Sequence, residues 1–353
     1  MNFVYYTQKN NIMLINNKKG FVLNNLTNDI FSEFSIHNLS CDLRKNKIDD
    51  WRYVINNTEY TSTKYCNSFV EFVFEVFDKN NLLDLSLIVY ENKKPVSIIP
   101  LFFDKVLNIF FYERYKNNAD TIIDPIFISI CSDKIKDKIY NIFFSILKKK
   151  VKNILHSTTF CNNFQPPYWY INKFDSCNFY EKKHILYLEL AHLELIQKKL
   201  KLSKKANDKK VHIVHKNEDK KIWNQVRQLH INMHGPTRTS RSWDLQEKAI
   251  QEGDAFLSYI LDDNYLSAAN FFYITKDESR YAMSVSDNNV NNYYGVLLHL
   301  ESLKFIKSIC IKWHFLGTSS LDFKIEEQKK INIAKFKEKF STTTIIDYHY
   351  KIE

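Results

Sequence analysis

Arg238 and Arg241 stand three residues apart in the segment His234-Gly235-Pro236-Thr237-Arg238-Thr239-Ser240-Arg241-Ser242-Trp243. Two forked guanidinium groups at that spacing suit a phosphate or a carboxylate; the competing reading is a loop that only caps a helix. Trp243 beside them reads as a structural anchor before a sugar-stacking platform. Farther along, Asp287 closes a β-rich stretch. A partly desolvated carboxylate there would be tuned to take a proton from an ammonium, and the alternative is an ordinary turn aspartate. Tyr293 and Tyr294 follow and can donate a proton or pack. His230 and His234, at i,i+4 spacing, could face a metal, but no carboxylate stands at motif distance, so a helix-terminal pair is the better reading. His299 lies among Leu297, Leu298, Leu300 and Leu303 and reads as a core histidine before a general base.

The surrounding pattern indicates what positions these groups. Residues 220–233 read as a helix stopped by Gly235-Pro236. Ser242 is the expected N-cap of a helix over 243–252, which Gly253 ends. Strands are expected at 255–261 and 266–275 around an Asp262-Asp263-Asn264 turn, then at 281–286, a helix at 292–309 and a strand at 311–317. The first half repeats that order: strands at 82–90 and 95–103 around Asn92-Lys93-Lys94, a third at 107–113, a helix at 134–150 and a strand at 151–158. Residues 65–78 carry Phe69, Phe72, Val73, Val76 and Phe77 on one helical face. The boundary between halves is expected near 172–181.

Composition narrows the chemistry. The 353 residues leave room for two domains, each with its own core. Only five glycines occur, and neither a Rossmann nor a Walker phosphate loop can be written. Asparagine is expected to take the positive-φ turns instead. A formal charge of +10 favours nucleic acid, a pyrophosphate-bearing cofactor or an anionic lipid surface without choosing among them. The lysine-rich run at 198–210 could meet any of these or be a solvated face. Six scattered cysteines without ligand spacing read as reduced thiols, with no metal site expected. No signal peptide or membrane span is visible, so a cytoplasmic protein is expected, able to touch the inner membrane surface.

Gly235, Thr237-Arg238 and Ser242-Trp243, then Tyr281-Ala282-Met283-Ser284, then Gly295-Val296-Leu297-Leu298-His299, then Phe336-Lys337-Glu338-Lys339-Phe340, occur in the order seen in FemAB-like proteins. The chain resembles that family, tandem acyltransferase folds of the GNAT superfamily, over roughly residues 185 to 345, and in the first half by strand order. The resemblance implies an α+β fold of two GNAT-like mixed-sheet domains in tandem. Residues 1–180 would be structural or acceptor-side, and 181–353 would carry the active cleft, where splayed strands expose backbone groups for a carbonyl. Backbone at Ser284, Val285 and Ser286, with Asn292, would hold the acyl donor, and Asp287 and Tyr293 would be catalytic. Arg238, Arg241, Trp243 and Lys337 would bind anion or substrate, Lys337 inheriting a donor-phosphate role from the family's Phe-Lys element. Acyl-CoA would be the co-substrate, no metal would be needed, and an amine of a small or lipid-linked amino sugar or surface-glycan precursor would be the acceptor.

The chain also departs from that pattern. Asn288-Asn289-Val290-Asn291-Asn292 stands where acetyl-CoA enzymes carry a glycine-rich turn, and Ser319-Ser320-Leu321 stands where many place a tyrosine. Two alternatives follow: an aminoacyl-tRNA-dependent transferase acting on a peptidoglycan precursor, and a non-catalytic glycan- or RNA-binding scaffold of the same fold.

Overall fold

The computed structural model describes residues 19–77, 81–114, 120–150, 154–158, 178–200, 209–217, 219–287 and 293–352. Expectations for residues 1–6, 151–153, 172–177, 201–208 and 288–292, Asn292 among them, lie outside the described residues. Up to residue 158 the elements are α1 (Lys19–Ile36), β1 (Ser40–Leu43), α2 (Ile48–Asn57), α3 (Asn67–Val76), β2 (Leu82–Asp84), β3 (Leu87–Glu91), β4 (Lys94–Ile99), β5 (Phe102–Asp104), β6 (Ile109–Phe111), β7 (Glu113–Arg114), β8 (Asp120–Ile123), β9 (Ile126–Phe127), α4 (Asp133–Lys150) and β10 (Ile154–Thr158). From residue 178 they are β11 (Asn178–Glu189), α5 (Leu193–Lys199), β12 (Val211–Val214), α6 (Lys220–His234), α7 (Ser240–Glu252), β13 (Ala255–Asp262), β14 (Tyr265–Ile274), β15 (Glu278–Ser286), α8 (Tyr293–Ser308), β16 (Trp313–Thr318), α9 (Gln328–Glu338) and β17 (Thr343–Ile352).

Two compact units result. One is built from Thr61–Phe72 and Lys183–Ile346; the other takes the described parts of 19–60, 73–182 and 347–352. In the latter, β3 and β4 form the centre of a sheet ordered β1-β3-β4-β9, beside a small β2-β5-β6 sheet. Trp51, Tyr112, Phe34, Phe102, Phe110, Phe111 and Phe143 are its largest fully buried rings.

The unit that carries the candidate site has strands in the order β12-β13-β14-β15-β16-β11. Pairing is antiparallel throughout except for β15 with β16, which run parallel. Helix α8 lies in the loop of chain joining those two strands, the right-sized crossover for a parallel pair. Its Leu300, Leu303 and Ile306 pack with Phe256 and Phe272 of the hairpin, Leu316 of β16 and Phe340 into one buried cluster. Each such fully buried side chain contributes about 1.5–3 kcal/mol of apolar burial, so this cluster fixes the sheet on which the site is built.

Scarce glycine is resolved as the composition suggested. The β3–β4 turn places Asn92 and Lys93 at φ of 50° and 65°, and the β13–β14 turn places Asp263 and Asn264 at 48° and 67°. Two consecutive positive-φ residues make a tight hairpin whose twist matches its strands. At helix ends the positive φ is taken by either kind of residue: Gly235 follows α6 at 74° and Gly253 follows α7 at 81°, while Asn38 follows α1 at 57° and Cys310 follows α8 at 63°.

One expectation is corrected. Helix α7 begins at Ser240, three residues before the start expected at 243, because its cap is Thr239, which adopts extended backbone and whose hydroxyl accepts the Ser242 N–H at 3.2 Å. Ser242 then sits inside the first turn with its own hydroxyl donating to the Thr239 carbonyl at 2.8 Å.

A candidate cleft between diverging strands

Strands β15 and β16 pair only through Glu278–Trp313, Ser279–His314 and Arg280–Phe315. Beyond that point β15 runs on to Ser286 hydrogen-bonded to β14, and β16 runs on to Thr318 hydrogen-bonded to β11. The cause of the parting is visible in the register. Phe271 opposes Met283 and Phe272 opposes Tyr281, which leaves Ala282 as an extra residue in β15. Likewise Leu186 opposes Gly317 and Tyr187 opposes Phe315, which leaves Leu316 extra in β16. A one-residue bulge bends its strand and ends regular pairing. Two bulges at the same level turn neighbouring strands apart, and the facing edges of Tyr281–Ser286 and Leu316–Thr318 are left without a ladder partner among the described residues. Such an edge offers N–H groups to a carbonyl oxygen on which charge develops.

The closed end of this cleft is charged and buried. Glu278 and Arg280, two apart on one strand, share a face and are 0% and 1% exposed. Glu278 Oε1 accepts from Ser62 Oγ at 3.0 Å, from Thr63 N at 2.9 Å and from Thr63 Oγ1 at 2.6 Å, and Tyr187 OH donates to Oε2 at 3.2 Å. Arg280 Nε donates to Thr63 Oγ1 at 2.7 Å, and the guanidinium carbon lies 3.6 Å over the Phe315 ring. Sequence reasoning missed Thr63, Glu278 and Arg280. The available signal was a Glu-x-Arg pair directly ahead of the strand expected at 281–286; nothing in the text pointed to Thr63, 215 positions before its carboxylate partner.

On the other side of β15 stands Lys337 of α9, 8% exposed, with its ammonium 5.6 Å above the Tyr281 ring. It meets no carboxylate among the described residues, and burial, aided by the Arg280 charge, pulls its pKa down to about 8. Gly317, at φ +107°, is what admits it: a Cβ built there would lie 3.2 Å from the Lys337 Nζ. His299 and His314 pack behind, with ring centroids 5.2 Å apart. Burial and then the nearby Lys337 push His299 down to about 3, and burial likewise holds His314 well below the usual histidine range. Both are neutral at pH 7. His299 is 1% exposed and lies 4.4 Å from the Phe340 ring, a core histidine in the sense expected.

The expected site residues fall into separate groups. Ser284 and Ser286 are exposed and Val285 is buried, all on the free edge of β15. Asp287 follows them, half-buried, with its backbone N–H donating to Ser267 O at 2.9 Å. Tyr293 opens α8, and its side chain lies outside the described residues. Lys337 reaches the cleft from α9. Arg238 and Trp243 form a stack of their own: the guanidinium lies 3.7 Å over the indole, Nη1 donates to Gln246 Oε1 at 2.7 Å, and Nη2 approaches Met283 Sδ at 2.7 Å. Trp243 is 2% exposed and also touches Trp223 and His230. Arg241 is exposed on the first turn of α7. His230 and His234 face each other with centroids 4.9 Å apart, and burial pushes His230 down to about 4. Among the described residues no group of three or more His, Cys, Asp or Glu side chains is arranged to hold a metal ion, and no helix is long and apolar enough to cross a membrane.

No family model matches the chain, and no curated protein matches it in sequence. Solved structures do resemble it. FemX superposes with a TM-score of 0.58 at 10% identity, over 88% of this chain and 96% of that one. The C-terminal domain of a putative lysylphosphatidylglycerol synthetase from Agrobacterium fabrum gives 0.56 at 11% identity, over 87% and 93%. L-PGS from Bacillus licheniformis gives 0.55 at 10%, over 86% and 90%. Likeness at this identity is a statement about fold: the chain shares an α+β fold with FemX and with these two structures.

Proposed function

We propose that the chain is an acyltransferase that moves an acyl group from an activated donor to an amine of a cell-envelope or surface-glycan precursor, with the β15/β16 cleft as its active site. The observation that carries this reading is the paired bulge at Ala282 and Leu316, which frees two strand edges beside a buried lysine. The donor carbonyl would lie against the free edge of β15 at Ser284–Ser286. N–H groups there would stabilise the oxyanion as the amine attacks. Direct attack forms the new C–N bond, expels the donor's leaving group and releases one proton from the attacking nitrogen. Asp287, at the end of the same strand, is the proposed acceptor of that proton. Lys337 would hold an anionic part of the donor.

A second reading of the donor is an aminoacyl-tRNA. It is supported by the net charge of +10 and by the asparagine-rich stretch at 288–292 in place of a glycine-rich turn. One structural neighbour is named for lysylphosphatidylglycerol, an aminoacyl group joined to a lipid, which lends weight to a lipid-linked acceptor here.

Two parallel assays separate these donors. Purified protein is offered radiolabelled acetyl-CoA or radiolabelled aminoacyl-tRNA with amino-sugar and lipid-linked acceptors. Transfer from one donor that is lost in Lys337→Ala supports the reading and chooses the donor. Transfer from neither, with no thermal stabilisation by either, removes the enzyme reading and leaves a binding scaffold.

A further inference from the structure

We propose that Arg280 is the recognition residue of an oxyanion pocket at the closed end of the β15/β16 cleft, binding a monoanionic carboxylate or phosphodiester through Nη1 and Nη2. This goes beyond the transfer reading and stands on the geometry of the Arg280 side chain and its neighbours.

Three contacts fix the guanidinium. Nε donates to Thr63 Oγ1 at 2.7 Å, one face lies 3.6 Å over Phe315, and Phe69 closes in at 5.4 Å. The residue is 1% exposed, yet neither Nη1 nor Nη2 has a hydrogen-bond acceptor among the described residues. Glu278 does not supply one. Its Oε1 is 3.8 Å from Nη2, outside hydrogen-bond reach, and already accepts from Ser62 and Thr63, while Oε2 accepts from Tyr187. Glu278 therefore offsets the charge of Arg280 without satisfying its donors. Buried donors left unpaired are costly. A planar fork held rigid with both terminal nitrogens free matches two oxygens of one ligand group.

Position supplies a second, independent argument. Arg280 and Phe315 are the last paired residues of the two strands, so the cleft begins one residue beyond the fork. Lys337 approaches from the other side of β15, over Tyr281, without a carboxylate partner among the described residues. Two cations and one carboxylate leave a single positive charge around this point, which a monoanion would neutralise and a dianion would overshoot.

The test uses the full chain and small anions, so that the pocket and the transfer reaction can fail separately. Thermal unfolding is followed in sodium acetate, dimethyl phosphate and chloride at constant ionic strength. A saturable stabilisation over chloride by acetate identifies a carboxylate site; the same from dimethyl phosphate identifies a phosphodiester site. In Arg280→Lys, which keeps the charge and loses the fork, the apparent affinity is expected to fall at least about tenfold. Equal behaviour of all three salts, or unchanged affinity in Arg280→Lys, overturns the proposal. Should the variant fail to fold, guanidino-¹⁵N-arginine-labelled wild type decides. One buried arginine signal shifts with the effective anion if the proposal holds, and no arginine signal shifts if it does not.

Discussion

Two arginines of the same unit lie over aromatic rings at nearly the same height, Arg238 over Trp243 at 3.7 Å and Arg280 over Phe315 at 3.6 Å. They differ in what their terminal nitrogens do. Those of Arg238 are occupied by Gln246 and Met283, whereas those of Arg280 have no acceptor among the described residues. Arg238 ties α7 to β15 and completes a packed corner with Trp223 and His230. Arg280 is held by its stack between Phe315 and Phe69 and by one hydrogen bond, from Nε, and it stands where two strands part. Stacking on an aromatic ring thus says little about role; the hydrogen-bond inventory of the fork says more. The loop that draws the eye in sequence holds an arginine whose terminal nitrogens have partners, and a second candidate lies just ahead of the strand expected at 281–286.

The contrast can be broken first at Glu278. Glu278→Ala leaves Arg280 buried without its carboxylate and takes from Thr63 its acceptor, and we expect a loss of about 3–5 kcal/mol in denaturant unfolding. Arg238→Ala removes a neutral-acceptor hydrogen bond and a cation–π contact, with an expected cost of about 1–3 kcal/mol. Equal losses in the two variants would erase the distinction between the corners.

Lys337 sharpens the comparison because stability and activity should move in opposite directions. A lysine held at about 8 instead of its ordinary 10.5 opposes folding at pH 7 by roughly 3 kcal/mol. Lys337→Met is therefore expected to raise the melting temperature while transfer falls by about a hundredfold, the usual loss for one group at a site of developing charge. A melting temperature that falls in Lys337→Met would assign this lysine to the structure.

Gly317→Ala should have a smaller effect. The added methyl meets the Lys337 ammonium and the position carries φ +107°, so a loss of about 1–2 kcal/mol is expected, with weaker donor binding. Retained stability and retained binding would show that the ammonium sits elsewhere.

The smallest effect is the pH dependence. With Lys337 at about 8, its cation is complete below that pH and is lost above it. Anion-dependent donor binding should accordingly fall as pH rises through about 8. The stability contribution runs the other way: the penalty for burying the cation is fully present below about 8 and is relieved as pH climbs toward the unfolded value of 10.5. Donor affinity that stays flat from pH 7 to 9 would exclude Lys337 as the anion holder.

Much of the frame was legible in the sequence because its signals are local. The Asn92-Lys93 and Asp263-Asn264 turns, the Gly235 and Gly253 helix ends and the core face of Phe69, Phe72 and Val73 each depend on neighbours a few residues away. The Thr239 cap was missed for a reason of the same scale: Thr239 and Ser242 are both capping residues one turn apart, and local text does not rank them. The closed end of the cleft was illegible because its contacts are not local. Thr63 meets Glu278 and Arg280 across more than two hundred residues. The bulges at Ala282 and Leu316 exist only as a mismatch between partner strands. Lys337 was singled out by resemblance to a family, and neither spacing nor charge foretold that it would be buried.

The central claim is that the donor lies between β15 and β16. Backbone hydrogen exchange of the wild-type chain, with and without whichever donor supports transfer, tests it at the strand edges themselves. The account predicts slowed exchange in the peptides covering Tyr281–Ser286 and Leu316–Thr318, with little change in the Arg238–Trp243 corner. Protection confined to that corner, or none in the two strand edges, would contradict it.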